Sequence, residues 1–191
     1  MIEIGKTLVI RRNRSLSKLI CTKTSQPQLE NSFWKLTLVD PEFLKELITD
    51  HANQPRNQRH LEQYTCKCTG KNPLCGDEVS LEIDVDEKSD VINDIGFGAR
   101  GCPISRASAS IVTETCIGLP SANAKLLAKH LRETLTEQYP SPLPDRLSSA
   151  WSQIAPLTAI QVNPARIKCI TLAWHTLRHA LDNPGSSETI D

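Results

Sequence analysis

The sequence lacks long apolar runs. No stretch approaches the roughly 20 apolar residues that a membrane-spanning helix needs. The segment TLVI at 7–10 is too short for the hydrophobic region of a secretory signal. We therefore expect a soluble protein that is located in the cytoplasm and has no membrane partner.

The chain also lacks net charge, since 22 basic residues balance 22 acidic ones. An even balance gives no indication of nucleic-acid binding, so we expect no nucleic-acid partner. The charges are nevertheless uneven, because residues 1–29 hold six basic side chains and one acidic one, whereas residues 30–191 hold 16 basic and 21 acidic ones. We expect residues 1–36 to be a disordered extension, although a basic, acid-poor start is also typical of organelle transit peptides.

Residues 37–182 have the patterning of one α+β domain, and residues 183–191 are expected to form a disordered tail. The predicted architecture is a small antiparallel sheet of about three strands with helices packed on one face. Prolines and capping residues followed by apolar residues at helical spacing predict where the helices begin. These starts are Pro41 after the Asp40 cap, Pro103, the Ser121 cap and Pro164, with a further short helix around 147–154.

Alternating apolar and polar residues predict a hairpin in this sheet. Residues 79–85 alternate in VSLEIDV, and after the turn DEKSD the residues Val91, Ile95 and Phe97 share one parity. Such alternation is typical of strands with one buried and one solvated face. The helix predicted after Pro103 contains the small residues ASAS at 107–110, which allow close approach to neighbouring elements.

The chain has seven cysteines but no CxxC pair. In a reducing compartment, clustered thiols favour metal or sulfur chemistry over disulfides. Cys75 lies in a predicted turn before the hairpin, Cys102 beside a predicted helix N-terminus, and Cys169 in the first turns of the final helix. Helix N-termini and nearby cations favour the thiolate, which is both nucleophile and metal ligand. Spacing alone leaves two interpretations open, a shared site or three small residues that fill gaps in a core.

Three strings of the sequence, taken together, resemble a known family. NPLCGDEV, GCPISRASAS and PARIKCITLAWHTL are similar, in the same order, to signature segments of the IscU/SufU/NifU family of iron–sulfur cluster assembly proteins. The similarity covers roughly residues 37–182. The long insertion before the final helix, and Lys168 where the IscU branch has histidine, resemble the SufU branch. The resemblance therefore implies an IscU/SufU-like fold.

The resemblance further implies a tetrahedral zinc ion held by Cys75, Asp77, Cys102 and Cys169. SufU-like proteins accept persulfide sulfur from a SufS-like cysteine desulfurase, and Cys75 is the acceptor that the resemblance favours. The chain is then a sulfurtransferase-like sulfur acceptor rather than a conventional enzyme, with iron–sulfur acceptor or scaffold proteins as further partners. The alternatives are a scaffold that assembles a [2Fe–2S] cluster from iron on the same ligands, and a purely structural zinc domain.

Arg166 joins Cys75 as the second residue with a predicted catalytic role. It precedes Cys169 by three residues and is expected on the same helix face. Three thiolates and one carboxylate carry four negative charges, of which a divalent zinc cancels only half, so nearby arginines are expected. Asp77 has an alternative role, which is to brace the turn at Gly76.

The remaining cysteines and the histidines have simpler interpretations. Cys66 and Cys68 are expected to be bystanders on a mobile loop, although two extra thiols so near Cys75 also suit a sulfur relay or metal binding. Cys116 is expected in the core. Arg100 stands where the family commonly has an acidic or small residue, which predicts an effect on partner docking. Surface positions are expected for His51, His60 and His130.

Overall fold

The computed structural model describes residues 40–137, 140–160, 164–184 and 187–190. The predicted extension, residues 1–36, lies outside them. The helices are α1 Pro41–Asn53, α2 Pro103–Cys116, α3 Ser121–Thr136, α4 Ser148–Ile154 and α5 Pro164–Asp182, with 3-10 turns at Asp145–Leu147 and Ala155–Ile160. The strands are β1 Cys66–Asn72, β2 Asp77–Val85, β3 Ile92–Arg100 and β4 Ser187–Ile190.

The sheet has the order β3-β2-β1-β4. Strands β1, β2 and β3 are antiparallel, which confirms the predicted three-stranded antiparallel sheet. The short β4 runs parallel to β1, from the pair Lys67 and Ser187 to the pair Gly70 and Ile190. A disordered tail was the expectation for 183–191, and β4 corrects it at 187–190. The segment SETI has no alternating apolar pattern, so its pairing depends on the distant β1 edge.

Strand β1 overturns the expectation that Cys66 and Cys68 lie on a mobile loop. Their exposed fractions are only 2% and 1%, and both belong to the main hydrophobic core. The intervening Lys67 and the following Thr69 are more exposed, so CKCT is an alternating strand in which cysteine supplies the apolar residues.

The hairpin buries Ile95 and Phe97 as the sequence predicts and differs from the prediction at Val91. Its two strands pair as predicted, but the core contains Ile92, Ile95 and Phe97 rather than Val91. The cause is a register shift between Asp84 and Val85, beyond which Val85 pairs with Ile92 and the start of β3 changes face.

The helices begin close to their predicted positions. The Asp40 side chain accepts a hydrogen bond from the backbone N–H of Glu42 at 3.0 Å, which confirms the predicted cap of α1. Ser121, in contrast, is the first residue of α3 rather than its cap, and its hydroxyl donates to the Asp90 carbonyl at 3.4 Å. None of the helices among the described residues is long and apolar enough to cross a membrane.

The packing of the helices brings three chain segments to one end of the sheet. Helices α2 and α5 contact the sheet and each other, α1 packs on α2, and α3 packs on α5. Because β3 is antiparallel to β2, the chain leaves β3 and enters α2 next to the start of β2. The largest buried side chains of this core include Trp174, Leu81, Ile83, Ile95, Leu131 and Leu177.

Candidate metal site

The four predicted ligands lie together at this end of the sheet. Cys75 occupies the turn between β1 and β2, Asp77 is the first residue of β2, Cys102 caps α2, and Cys169 lies in the second turn of α5. The Sγ atoms of Cys75 and Cys169 are 3.7 Å apart although 94 positions separate the two residues in the chain. The structure therefore favours a shared site over the interpretation in which three cysteines fill separate gaps.

The turn before β2 is held by Asn72. The Asn72 carbonyl accepts hydrogen bonds from the backbone N–H groups of Cys75 at 3.3 Å and Gly76 at 2.8 Å. The Asn72 side-chain oxygen accepts another from Leu74 at 3.2 Å. Gly76 has a φ of 71°, a conformation that most residues with a Cβ disfavour. This tight turn leaves Cys75 exposed at its tip.

Asp77 is anchored by the segment that begins α2. Its Oδ1 accepts a hydrogen bond from the backbone N–H of Cys102 at 2.8 Å, and its Oδ2 lies 3.2 Å from the Cys102 thiol. Gly101 has a φ of 137°, and a Cβ at this position would overlap Asp77 Oδ1. The backbone partner of this carboxylate is thus Cys102 rather than the turn at Gly76.

Cys102 occupies the N-cap position of α2. Its Sγ accepts a long hydrogen bond of 3.4 Å from the backbone N–H of Ser105. The thiol is half-buried and faces the positive end of the helix dipole, as the sequence predicts. It therefore has both a backbone donor and the Asp77 carboxylate as neighbours.

The pKa values of Asp77 and Cys169 are both shifted within the site. Burial favours a raised pKa for Asp77, but hydrogen bonds from the Cys102 backbone and from the three thiols outweigh burial and lower that pKa. The pKa of Cys169 is raised, first by burial and then by the Asp77 carboxylate and the neighbouring thiols. The sequence predicts an easily formed thiolate at Cys169, and its 3% exposure beside an anion opposes that. A bound cation removes this opposition.

The donor atoms fit a zinc ion. Tetrahedral zinc with Zn–S bonds of about 2.3 Å places two sulfur ligands about 3.8 Å apart, close to the observed separation of Cys75 and Cys169. Within the described residues, donor atoms of Cys75, Asp77 and Cys169 lie within 4.8 Å of one another. Cys102 is outside that group, although its Sγ lies 3.2 Å from Asp77 Oδ2, so its role as the fourth ligand stays a prediction.

Two residues near the site behave differently from the sequence expectations. Arg166 is exposed in the first turn of α5, and the described part of the chain shows no hydrogen bond or ion pair for it. The sequence reasoning missed Asn72, which lies opposite Asp77 in the β1–β2 register and has a buried Nδ2 without a partner among the described residues. Its position three residues before Cys75, followed by a proline, was the available signal.

The other cysteines and histidines lie away from this site or in the core. Cys116 is fully buried, as predicted, and burial raises its pKa to about 12. His60 is exposed as expected. The surface expectation for His51 is wrong, because the residue is 6% exposed and its Nδ1 hydrogen-bonds with Ser110 Oγ at 2.9 Å. The close packing of α1 on the small-residue face of α2 explains this burial.

A family model and individual relatives both place this chain among iron–sulfur cluster assembly proteins. Residues 44–184 match the family described as the NifU-like N terminal domain. An iron–sulfur cluster assembly scaffold protein IscU from Streptococcus pyogenes serotype M1 is 34% identical over 142 residues, covering 74% of this chain and 84% of the relative. A zinc-dependent sulfurtransferase SufU from Bacillus subtilis strain 168 is 32% identical over 134 residues, covering 70% and 85%.

Solved structures agree with this assignment. A crystal structure described as an iron–sulfur cluster assembly scaffold protein for the SUF system, from Fervidobacterium islandicum AW-1, superposes with a TM-score of 0.61 and 29% identity. The superposition covers 71% of this chain and 94% of that one. The chain belongs to the IscU/SufU/NifU family of iron–sulfur cluster assembly proteins.

Proposed function

We propose that this chain is a zinc-dependent sulfur acceptor that receives persulfide sulfur from a cysteine desulfurase, and that Cys75 is the acceptor. The difference in exposure within the site supports this assignment. Cys75 is exposed, whereas Asp77 and Cys169 are 2% and 3% exposed and Cys102 is half-buried. A partner protein can therefore reach Cys75 while the other three residues stay within the fold.

The four residues have separate tasks in this scheme. Zinc held by Cys75, Asp77, Cys102 and Cys169 would keep the thiols deprotonated and protected from oxidation near neutral pH. Cys102 caps α2 and Cys169 lies in the second turn of α5, so the packing of these two helices fixes their positions. Asp77 is the one hard oxygen donor among soft sulfur donors, which makes the set easier to open than four thiolates. Cys75, exposed at the tip of its turn, is the residue of the four that a donor protein can reach.

The transfer itself is a thiol–disulfide type exchange. The Cys75 thiolate attacks the terminal sulfur of the desulfurase persulfide, and its electron pair forms the new S–S bond. The S–S bond of the donor breaks, and the donor cysteine leaves as a thiolate. Cys75 then carries the transferred sulfur as a persulfide, and no external oxidant or reductant is consumed.

The SufU relative from Bacillus subtilis, which is named a zinc-dependent sulfurtransferase, supports this proposal. The test is the turnover of a purified SufS-like cysteine desulfurase with and without the zinc-loaded chain. We expect the wild-type chain to stimulate alanine release and to gain the mass of one sulfur atom at Cys75. Cys75→Ser should abolish both effects, whereas Cys21→Ser, outside the predicted domain, should change neither. An unchanged desulfurase rate with zinc-loaded wild type would contradict the proposal.

A second candidate function is a scaffold that assembles and transfers a [2Fe–2S] cluster. The name of the Streptococcus pyogenes relative, a cluster assembly scaffold, favours this alternative. Its test is anaerobic reconstitution with iron and sulfide, followed by visible absorption and transfer to an apo-acceptor. A colourless product that retains zinc would count against the scaffold.

A further inference from the structure

The charge of the chain changes sign between its body and the end that carries the site. Residues 30–191 hold 16 basic and 21 acidic residues. The three segments that form the site, 71–78, 99–106 and 164–172, contain five of these basic residues and two of the acidic ones. The rest of this range holds 11 basic and 19 acidic residues. The site end is therefore a basic region on an otherwise acidic domain.

Four of these five cations are exposed. Lys71 pairs with Glu78, and we call the other three, Arg100, Arg166 and Lys168, the basic rim. Arg100 ends β3, one residue before the Gly101 that packs on Asp77. Arg166 and Lys168 lie in the first turns of α5, three residues and one residue before Cys169. Throughout the described ranges the structure shows no hydrogen bond or ion pair from any of the three side chains. The residues of the basic rim thus belong to two separate elements, β3 and α5, which both lead to the site.

The two acids of the site end do not neutralise this rim. Asp77 is buried, and its carboxylate is bonded to Cys102. Glu78 lies across the sheet from Arg100, but its ion pair, at 3.8 Å, is with Lys71. Exposed cations without partners keep their field in the solvent, over a range of about 8–10 Å at physiological salt.

An exposed apolar residue accompanies the rim. Leu74 precedes the proposed acceptor Cys75 in the turn and is 70% exposed, more than Phe43, Tyr64 or Leu126. Covering such a side chain with a partner stabilises the complex, and the exposed charges of the site segments orient the encounter. The combination is typical of a protein interface with an apolar centre and a charged rim.

We propose that the basic rim docks an acidic surface of the cysteine desulfurase, next to its persulfide, and so directs that persulfide to Cys75. The inference rests on the proposed function, because it names the chemistry of the partner at the same site. Opposite charges accelerate encounter and fix its orientation, and they exclude partners whose surface near the donor sulfur is basic. Leu74 then enters the interface beside the reacting thiol.

A different role for the same cations makes a different prediction. Three thiolates and one carboxylate carry two more negative charges than a zinc ion cancels, and Arg100, Arg166 and Lys168 could serve to balance that excess. Charge reversal would then lower the zinc content of the protein. If the rim serves docking, charge reversal leaves zinc in place and weakens the coupling to the desulfurase.

The test compares Arg100→Glu and Lys168→Glu with Lys88→Glu as the matched control. Lys88 is exposed in the turn between β2 and β3, at the end of the hairpin opposite to the site. For each zinc-loaded full chain, the concentration that half-saturates stimulation of a purified SufS-like desulfurase is measured at low and high salt, together with zinc content. We expect each rim variant to raise that concentration about tenfold at low salt, to reduce its salt dependence, and to retain zinc.

Two results would overturn the inference while leaving sulfur acceptance intact. One is a half-saturating concentration and salt dependence in both rim variants equal to those of Lys88→Glu. The other is loss of zinc from the rim variants, which would assign the cations to the metal site. If the wild-type chain itself fails to stimulate the desulfurase, the proposed function fails and the docking inference falls with it.

Discussion

At the scale of single residues, the site depends on how the Asp77 carboxylate is held. A buried carboxylate is costly unless its oxygens are paired or hydrogen-bonded, and here one oxygen is bonded to the Cys102 backbone. That bond fixes Oδ1 and leaves Oδ2 directed toward the cysteine sulfurs. Gly101 is the residue that allows this arrangement, because it has no Cβ to occupy the space of Oδ1.

Gly101→Ala should therefore reduce zinc binding. The added methyl group displaces the Asp77 carboxylate, and the left-handed φ of 137° adds backbone strain, so we expect a loss of about 1–3 kcal/mol in stability together with a lower zinc content. The control is Gly118→Ala, since Gly118 also has a positive φ, 85°, but a Cβ there meets nothing within 4 Å. Equal zinc content in the two variants, measured by a chelator competition assay, would contradict this role of Gly101.

At the scale of elements, the contact between α2 and α5 brings two of the predicted ligands, Cys102 and Cys169, toward each other. The small residues of α2 that the sequence predicts at 107–110 are all buried. The Ser108 hydroxyl donates to the Ile170 carbonyl at 2.7 Å, one residue from Cys169. Close helix packing of this kind tolerates little added volume.

Ser108→Val should separate α2 from α5. The larger side chain costs about 1–3 kcal/mol by overpacking, and the shift of α5 moves Cys169 away from Cys75, so zinc affinity should fall as well. Ser108→Ala is the control, because it loses one hydrogen bond, worth about 1 kcal/mol, without adding volume. Denaturant unfolding and zinc competition measure the two effects. If Ser108→Val binds zinc as tightly as Ser108→Ala, the packing of the helices does not set the site geometry.

The elements also show what the sequence could predict. Helix starts at Pro41, Pro103 and Pro164 follow from local chemistry, and the structure has them. Strand β1 was missed because its alternation uses cysteine and glycine rather than large apolar residues, and β4 was missed because its pairing is long-range. Apolar periodicity alone also does not predict the register shift that places Ile92 rather than Val91 in the core.

The sequence likewise predicts only part of the candidate site. Three motif strings predicted which residues come together, and their adjacency is visible in the structure. Neither the burial of Cys169 beside Asp77 nor the backbone bond from Cys102 could be read from spacing, because both arise from packing between segments far apart in the chain. The same holds for Asn72, whose buried Nδ2 has no hydrogen-bond partner within the described ranges.

At the scale of the whole molecule, buried thiols make the free energy of unfolding decrease as the pH becomes alkaline. Burial raises the pKa of Cys116 from 9.0 to about 12, and burial also raises the pKa of Cys66. Such a thiol keeps its proton in the folded state after the unfolded chain has lost it. Its contribution is therefore fully present below about pH 9 and is lost as the pH rises toward the folded-state pKa.

The raised pKa of Cys116 alone should cost the protein about 1.4 kcal/mol of stability between pH 8 and pH 10. Denaturant midpoints at these two pH values measure the loss. Cys116→Ala should show a smaller difference between the two pH values, because one of the titrating thiols is gone, even though its stability at pH 8 is reduced by the cavity. An equal pH dependence in wild type and Cys116→Ala would show that this thiol is not coupled to folding.

The central claim is that Cys75, Asp77, Cys102 and Cys169 bind one zinc ion in the folded chain. X-ray absorption of the anaerobically purified, zinc-containing protein measures the ligands directly. The structure predicts three sulfur neighbours at about 2.3 Å and one oxygen neighbour at about 2.0–2.2 Å, with one sulfur lost in Cys102→Ser. A zinc shell without three sulfur ligands, or a shell unchanged by Cys102→Ser, would contradict it.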